Sequence, residues 1–182
     1  MAGEQIRGPV WLLDVDGVLT ASRPGWGAAP RQGSVHDDVD TFRMRWAPKL
    51  MVTLARMHHD RVLELRWATT WVDHIERIET LFGLPALPLA FSGLLPLARS
   101  SHALALKRQA ALEVVETERR PLIWTDDDAI ESDPLLVPRL RASDQPLLLI
   151  SPDPRRGLQP NDLQVIANFI DKLRLPGEAR RS

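Results

Sequence analysis

The sequence predicts an α/β fold: one Rossmann-like parallel sheet of about five strands, with helices on both faces and no large cap domain. Apolar stretches of strand length alternate with stretches whose apolar residues recur at helical spacing. The strand candidates, among them Val10-Trp11-Leu12-Leu13 and Leu122-Ile123-Trp124, are apolar without polar alternation, as strands buried on both faces are. Three of them run directly into polar residues, at Asp14, Thr69 and Asp126. Those residues then lie at strand carboxyl ends, where open α/β sheets bind ligands.

Length and composition narrow the choice. At 182 residues the chain is expected to form a single domain over 1–182, large enough to bury a full core, with a loop or flap insert at about 21–47. Cysteine is absent, so disulfides and thiolate metal sites are excluded and a metal would need carboxylate or imidazole ligands. The formal net charge of −1 makes no global case for or against nucleic acid. No apolar stretch reaches the length of a membrane span, and residues 1–8 are too short and polar for a signal peptide. The expectation is a cytoplasmic protein without a membrane partner.

Residues 9–15 read as the first strand, punctuated by Gly17. The stretch 21–47 has loop composition, with Pro24, Gly25, Gly27, Pro30 and Gly33, and its second half, 34–46, reads as a short hairpin or flap. Pro48 suits a first helical position, and Leu50, Leu54 and Met57 continue a helix to His59. His58 and His59 near its end suit the helix dipole better than a metal. A second strand covers 61–70 and stops at Thr69-Thr70. Residues 71–81 are expected to be helical and to end at Gly83 and Pro85, and 87–91 to form a short edge strand limited by Pro85 and Pro88.

Residues 92–102 read as loop and 103–118 as a helix that carries Lys107 in its early turns, where the dipole favours acids instead. A strand at 121–125 ends in Asp126-Asp127-Asp128. A helix at 133–141, a buried strand at 147–151, a loop at 151–160 and an amphipathic helix at 161–173 complete the pattern, with 177–182 frayed.

The chemistry is expected at Asp14-Val15-Asp16-Gly17. A strand that breaks at Gly17 lets carboxylate and carbonyl oxygens share one space, which suits a hard divalent cation and also a carboxylate that attacks phosphorus while a second one carries the proton. An isolated Asp-x-Asp-Gly is more often an ordinary turn. An EF-hand calcium loop is a further alternative, but Gly17 and Val18 break its pattern.

Taken in order, Asp14-Val15-Asp16-Gly17-Val18, Thr69 or Thr70, Lys107 and Asp126-Asp127 resemble the four motifs of the haloacid dehalogenase-like hydrolase superfamily. The resemblance covers most of the chain, and the order of the four motifs makes it specific. Within that superfamily, Trp67-Ala68-Thr69-Thr70-Trp71, Trp124-Thr125-Asp126-Asp127-Asp128 and Ser151-Pro152-Asp153-Pro154-Arg155-Arg156-Gly157-Leu158 look like a small capless bacterial group similar to the domain associated with RNA repair.

The resemblance implies a magnesium-dependent phosphatase that works through an aspartyl-phosphate. Asp14 would be nucleophile and metal ligand, and Asp16 would be acid, base and metal ligand through its carbonyl. Thr69 would donate to the phosphoryl oxygens, Lys107 would neutralise charge, and Asp126 with Asp127 would complete the Mg²⁺ shell. Superfamily dehalogenases lack a carboxylate at the position of Asp16, and transport ATPases carry threonine there, so Asp16 favours a phosphatase or phosphotransferase.

Thr70 in place of Thr69, and Asp128 within the acidic run, stay open as alternatives, since adjacent residues on a strand face opposite ways. Trp26 and Trp46 on the flap are assigned to substrate stacking, although tryptophans more commonly pack. The implied partner is a phosphorylated small molecule or a nucleic-acid end. With no folded cap, an open site would favour a large phosphorylated substrate over a generic aryl phosphate. Two further readings are a nucleic-acid end phosphatase and a non-catalytic domain that binds a phosphorylated ligand or a protein.

Overall fold

The computed structural model describes residues 8–36, 40–92 and 99–174. Along the chain these form β1 (Val10–Leu13), β2 (Arg31–His36), β3 (Thr41–Trp46), α1 (Pro48–His59), β4 (Glu64–Trp67), a 3₁₀ turn (Val72–His74), α2 (Ile75–Phe82), α3 (Arg99–Leu112), a π-helical turn (Glu113–Thr117), β5 (Leu122–Thr125), α4 (Leu136–Arg141), β6 (Leu147–Ile150) and α5 (Pro160–Arg174). The sheet runs β4-β1-β5-β6, every pair parallel, with Leu13 in register with Trp67 on one side and Thr125 on the other. Because β1 has neighbours from later in the chain on both sides, the strand order reverses beside it, which is where open α/β sheets bind ligands.

Alternation along the strands divides the core between the two faces. Trp11 and Leu13 of β1, Leu65 and Trp67 of β4 and Ile123 of β5 pack with Leu50 and Leu54 of α1, Ile78 of α2 and Ile166 and Ile170 of α5. Val10, Leu12, Leu122 and Trp124 pack instead with Ala110 and Ala111 of α3, Val114 and Val115 of the π-helical turn and Leu136 and Leu140 of α4. Each fully buried large side chain contributes roughly 1.5–3 kcal/mol, so neither layer is dispensable. Among the described residues no helix is long and apolar enough to cross a membrane.

Local chemistry sets most boundaries. Pro48 opens α1, and Gly83, in the left-handed conformation at φ 67°, closes α2. Pro160 opens α5, where Asp162 Oδ2 reaches back to accept the Gln159 N–H at 2.8 Å, a capping-box contact.

Elsewhere the structure departs from the sequence pattern. The edge strand expected at 87–91 is reduced to one parallel bridge between Leu89 and Trp67, because prolines at 85 and 88 remove donors that a longer ladder needs. The helix expected at 103–118 starts earlier, at Arg99, and widens into a π-helical turn before β5. The helix expected at 133–141 begins at Leu136, after Asp133 has accepted the Leu135 N–H in a turn of its own. The expected frayed end at 177–182, most of residues 1–8 and the middle of the loop at 92–102 lie outside the described residues.

The insert after β1 holds an antiparallel hairpin, β2–β3, in register from Arg31–Trp46 to His36–Thr41. Its inner face is not loose. Val35, Met44 and Trp46 are buried in the first core layer, and Gly33 leaves space for Leu81 of α2, which a Cβ would overlap. Thr20 bridges to Trp46, so the hairpin is anchored four residues beyond Asp16.

At the amino edge of the sheet, Arg66 donates to both oxygens of Glu118 at 2.5 and 2.9 Å and to Glu64 at 2.7 Å, while Arg120 reaches Glu64, Glu118 and the Gly8 carbonyl. The Arg66 hydrogen bonds hold Glu118 below the usual carboxyl range. For Glu64 burial works the other way, but the hydrogen bonds from Arg66 and Arg120 outweigh it. Carboxyls depressed in the folded state stabilise it above their unfolded pKa of 4.5 and lose that contribution as pH falls through the folded value. Thermal unfolding at pH 6 and pH 3 should therefore show Arg66→Gln about 1 kcal/mol less stable than wild type at the higher pH and nearly equal at the lower. A constant difference at both pH values would contradict this.

Candidate active site

Asp14 and Asp126 are neighbours because their strands are. Asp14 N–H bonds to the Thr125 carbonyl at 3.3 Å, continuing the β1–β5 ladder one residue beyond its last pair. Both carboxylates are buried, at 4% and 0% exposure, and both meet Lys107 of α3. Lys107 Nζ donates to Asp14 Oδ2 at 2.5 Å and lies 2.9 Å from Asp126 Oδ2. The second contact is an ion pair as well, so one ammonium group serves both buried carboxylates. The other oxygens are held by backbone: Asp14 Oδ1 by the Val15 N–H at 2.7 Å, and Asp126 Oδ1 by the N–H groups of Asp128 and Ala129 at 3.1 and 2.7 Å.

Asp127 completes the cluster. One oxygen each from Asp14, Asp126 and Asp127 lie within 4.8 Å of one another. Asp127 also packs against Gly17, whose φ of 69° favours glycine and whose missing Cβ would overlap the Asp127 carboxylate. Three carboxylate oxygens this close could hold a metal ion, and their chemistry suits a hard cation. The electrostatics agree. Burial pushes the Asp14 carboxyl up to about 7, against the pull of Lys107 and with the push of Asp126, and burial and Asp126 raise Asp127 as well. Lys107 is held well above the usual lysine range, its two carboxylates overcoming the cost of burial. Asp128 is exposed, is not part of the three-oxygen group, and is pushed up to about 6 by partial burial and by Asp126.

Asp16 stands apart from this triple. Exposed to solvent, it accepts the Trp71 indole N–H on Oδ2 at 2.8 Å and the Thr20 hydroxyl on Oδ1 at 3.2 Å. Its charge raises the Asp127 carboxyl, which places the two carboxylates in one field. The glycine turn thus gives the two aspartates of one motif different surroundings: Asp14 turns into the buried cluster and Asp16 faces solvent. Thr69 is 1% exposed at the carboxyl end of β4, where the ladder continues through the Ala68 N–H to Leu13 carbonyl bond, and its Oγ1 accepts the Trp71 N–H at 3.5 Å. Thr70 is exposed.

No family model, curated protein or solved structure matches the chain.

Of the residues singled out from the sequence, Asp14, Lys107, Asp126 and Asp127 are brought into one cluster, Asp16 shares the field of Asp127, and Thr69 lies buried at the end of the neighbouring strand β4. Of the two flap tryptophans expected to stack on substrate, Trp46 is a correction and Trp26 is half-buried. Trp46 is 4% exposed and packs against Phe82 with ring centroids 5.2 Å apart, so it is core. Trp26 packs on the same core and donates its indole N–H to the Leu158 carbonyl at 2.8 Å, which pins the insert to the loop after β6. An inward strand position buries the first ring, and the second spends its polar handle on the backbone.

Sequence reasoning missed Trp71 and Thr20 as the donors that fix Asp16. Thr20 lies four residues beyond Asp16, where a turn brings it back, so its hydroxyl was findable. Trp71 had only its position directly after Thr69-Thr70 to mark it.

Proposed function

We propose that this protein is a magnesium-dependent phosphohydrolase of the haloacid dehalogenase-like kind that transfers the phosphoryl group to Asp14 and then to water. The observation that carries the reading is the buried Asp14–Lys107–Asp126 constellation at the topological switch point, with a separate, exposed carboxylate, Asp16, oriented by Trp71. A lone structural ion pair would not need a further carboxylate, Asp127, against Gly17.

In the first step a carboxylate oxygen of Asp14 bonds to phosphorus while the bond from phosphorus to the leaving oxygen breaks, and Asp16 gives that oxygen its proton. In the second, Asp16 takes a proton from water as the water oxygen bonds to phosphorus and the bond to Asp14 breaks, releasing inorganic phosphate. Lys107 stays protonated throughout and offsets charge on Asp14 and the phosphoryl oxygens, and Thr69 donates its hydroxyl to those oxygens. A divalent cation held by Asp14, Asp126 and Asp127 would neutralise charge on the transferring group. Trp71 holds Asp16 Oδ2, which leaves Oδ1, shared only with the mobile Thr20 hydroxyl, as the oxygen for proton transfer. That hydroxyl has a second acceptor, the Val15 carbonyl at 3.3 Å, to which it turns when Asp16 is protonated. The cysteine-free chain needs no oxidising compartment, and we place the reaction in the cytoplasm.

Hydrolysis of a phosphomonoester panel, nucleotides and end-phosphorylated oligonucleotides included, is expected to fall at least about 100-fold in a chelator and to return with added Mg²⁺. Turnover that survives the chelator would overturn the proposal.

A further inference from the structure

Phe42 sits at a position that its strand marks as core, yet it is exposed. Phe42, Met44 and Trp46 share one face of β3. Met44 and Trp46 are 3% and 4% exposed, whereas Phe42 is 36% exposed. Its ring stands perpendicular to that of Trp71, with centroids 5.0 Å apart and planes at 89°. Trp71 in turn bonds to Asp16, so the aromatic pair adjoins that exposed carboxylate. The hairpin carries Phe42 past the edge of the core and stops it there.

We infer that Phe42 and Trp71 form a leaving-group subsite that selects substrates whose phosphate is carried on a planar aromatic group. This rests on the phosphohydrolase reading, in which Asp16 protonates the leaving oxygen. Whatever that oxygen carries departs past Asp16, and the Phe42 ring on its Trp71 support is an apolar surface that adjoins it there. A planar group stacks on such a ring with an affinity gain of about tenfold or more, while an alkyl group of the same charge gains little. The rings commonly found in phosphomonoesters are a nucleobase and a simple aryl group, and both would use this surface.

Calorimetric titration of the magnesium-loaded protein with a nucleoside monophosphate, phenyl phosphate and glycerol phosphate tests the inference without relying on turnover. Wild type is expected to bind at least one of the two aromatic ligands about tenfold more tightly than glycerol phosphate. A stronger response to the nucleotide identifies a nucleobase as the natural ring, and a stronger response to phenyl phosphate identifies a simple aryl group. Phe42→Ala should remove the preference and Phe42→Tyr should keep it. Should the alanine variant fold poorly, Phe42→Leu keeps apolar volume without a ring and should also lose it. Equal affinity for all three ligands in wild type, no binding of any, or an equal loss on all three in the variants would overturn the subsite. Selective binding without hydrolysis would overturn the hydrolase reading and leave the subsite standing.

Discussion

Asp14→Asn should lower kcat by roughly 10⁴-fold or more, because the variant keeps the volume of the side chain and removes the atom that attacks phosphorus. The fold should survive. Lys107 keeps its second carboxylate, Asp126, at 2.9 Å, and the Val15 N–H can still bond to the amide oxygen in place of Asp14 Oδ1. Burial already disfavours the ionised Asp14, so a neutral residue there costs the metal-free protein little. Rates are to be measured at saturating Mg²⁺ on whichever phosphomonoester turns over best, with thermal unfolding in parallel. A variant of near wild-type rate would remove Asp14 as nucleophile. An inactive variant with an unchanged melting temperature separates chemistry from folding.

Lys107→Met should be the most destabilising change in the site. The Lys107 side chain is 5% exposed and lies against carboxylates that are 6% and 0% exposed, so removing its charge leaves two buried acids facing each other. Breaking such a pair costs about 3–5 kcal/mol, which for a chain of this size is roughly 10 °C of melting temperature. Methionine fills most of the volume of the lysine stem, so packing contributes little to the loss. Added Mg²⁺ should raise the melting temperature of the variant more than that of wild type, because the cation takes over neutralisation that Lys107 otherwise supplies. Scanning calorimetry in chelator and in Mg²⁺ reads both effects. A drop of less than about 3 °C in chelator would mean that Lys107 and its carboxylates do not form the electrostatic unit described here.

The tryptophans connect the fold to the site in a way that composition does not reveal. The chain has six tryptophans and no tyrosine. In the structure Trp11 bonds to Thr125 between β1 and β5, Trp67 to Glu79 between β4 and α2, Trp26 to the loop after β6, and Trp71 to Asp16. Each fills volume at a junction and ties two elements with its N–H, a role that phenylalanine cannot take. The indole N–H of Trp124, by contrast, is buried without a partner.

The sequence by itself determined the layered architecture and the strand ends at which polar residues collect. Both follow from local patterns: unbroken apolar runs for strands covered on two faces, helical spacing between them, and Gly17, Gly83 and Pro48 as punctuation. It also singled out Asp14, Asp16, Lys107 and Asp126, though not their arrangement. Only the tertiary structure decided that Lys107 meets Asp14 across 93 residues and Trp71 meets Asp16 across 55, because such contacts depend on strand order and helix crossing, which no local window encodes. The same holds for the hairpin. An inward position reads alike at Phe42 and Trp46, and what separates a buried ring from an exposed one is how far the core extends beneath each of them.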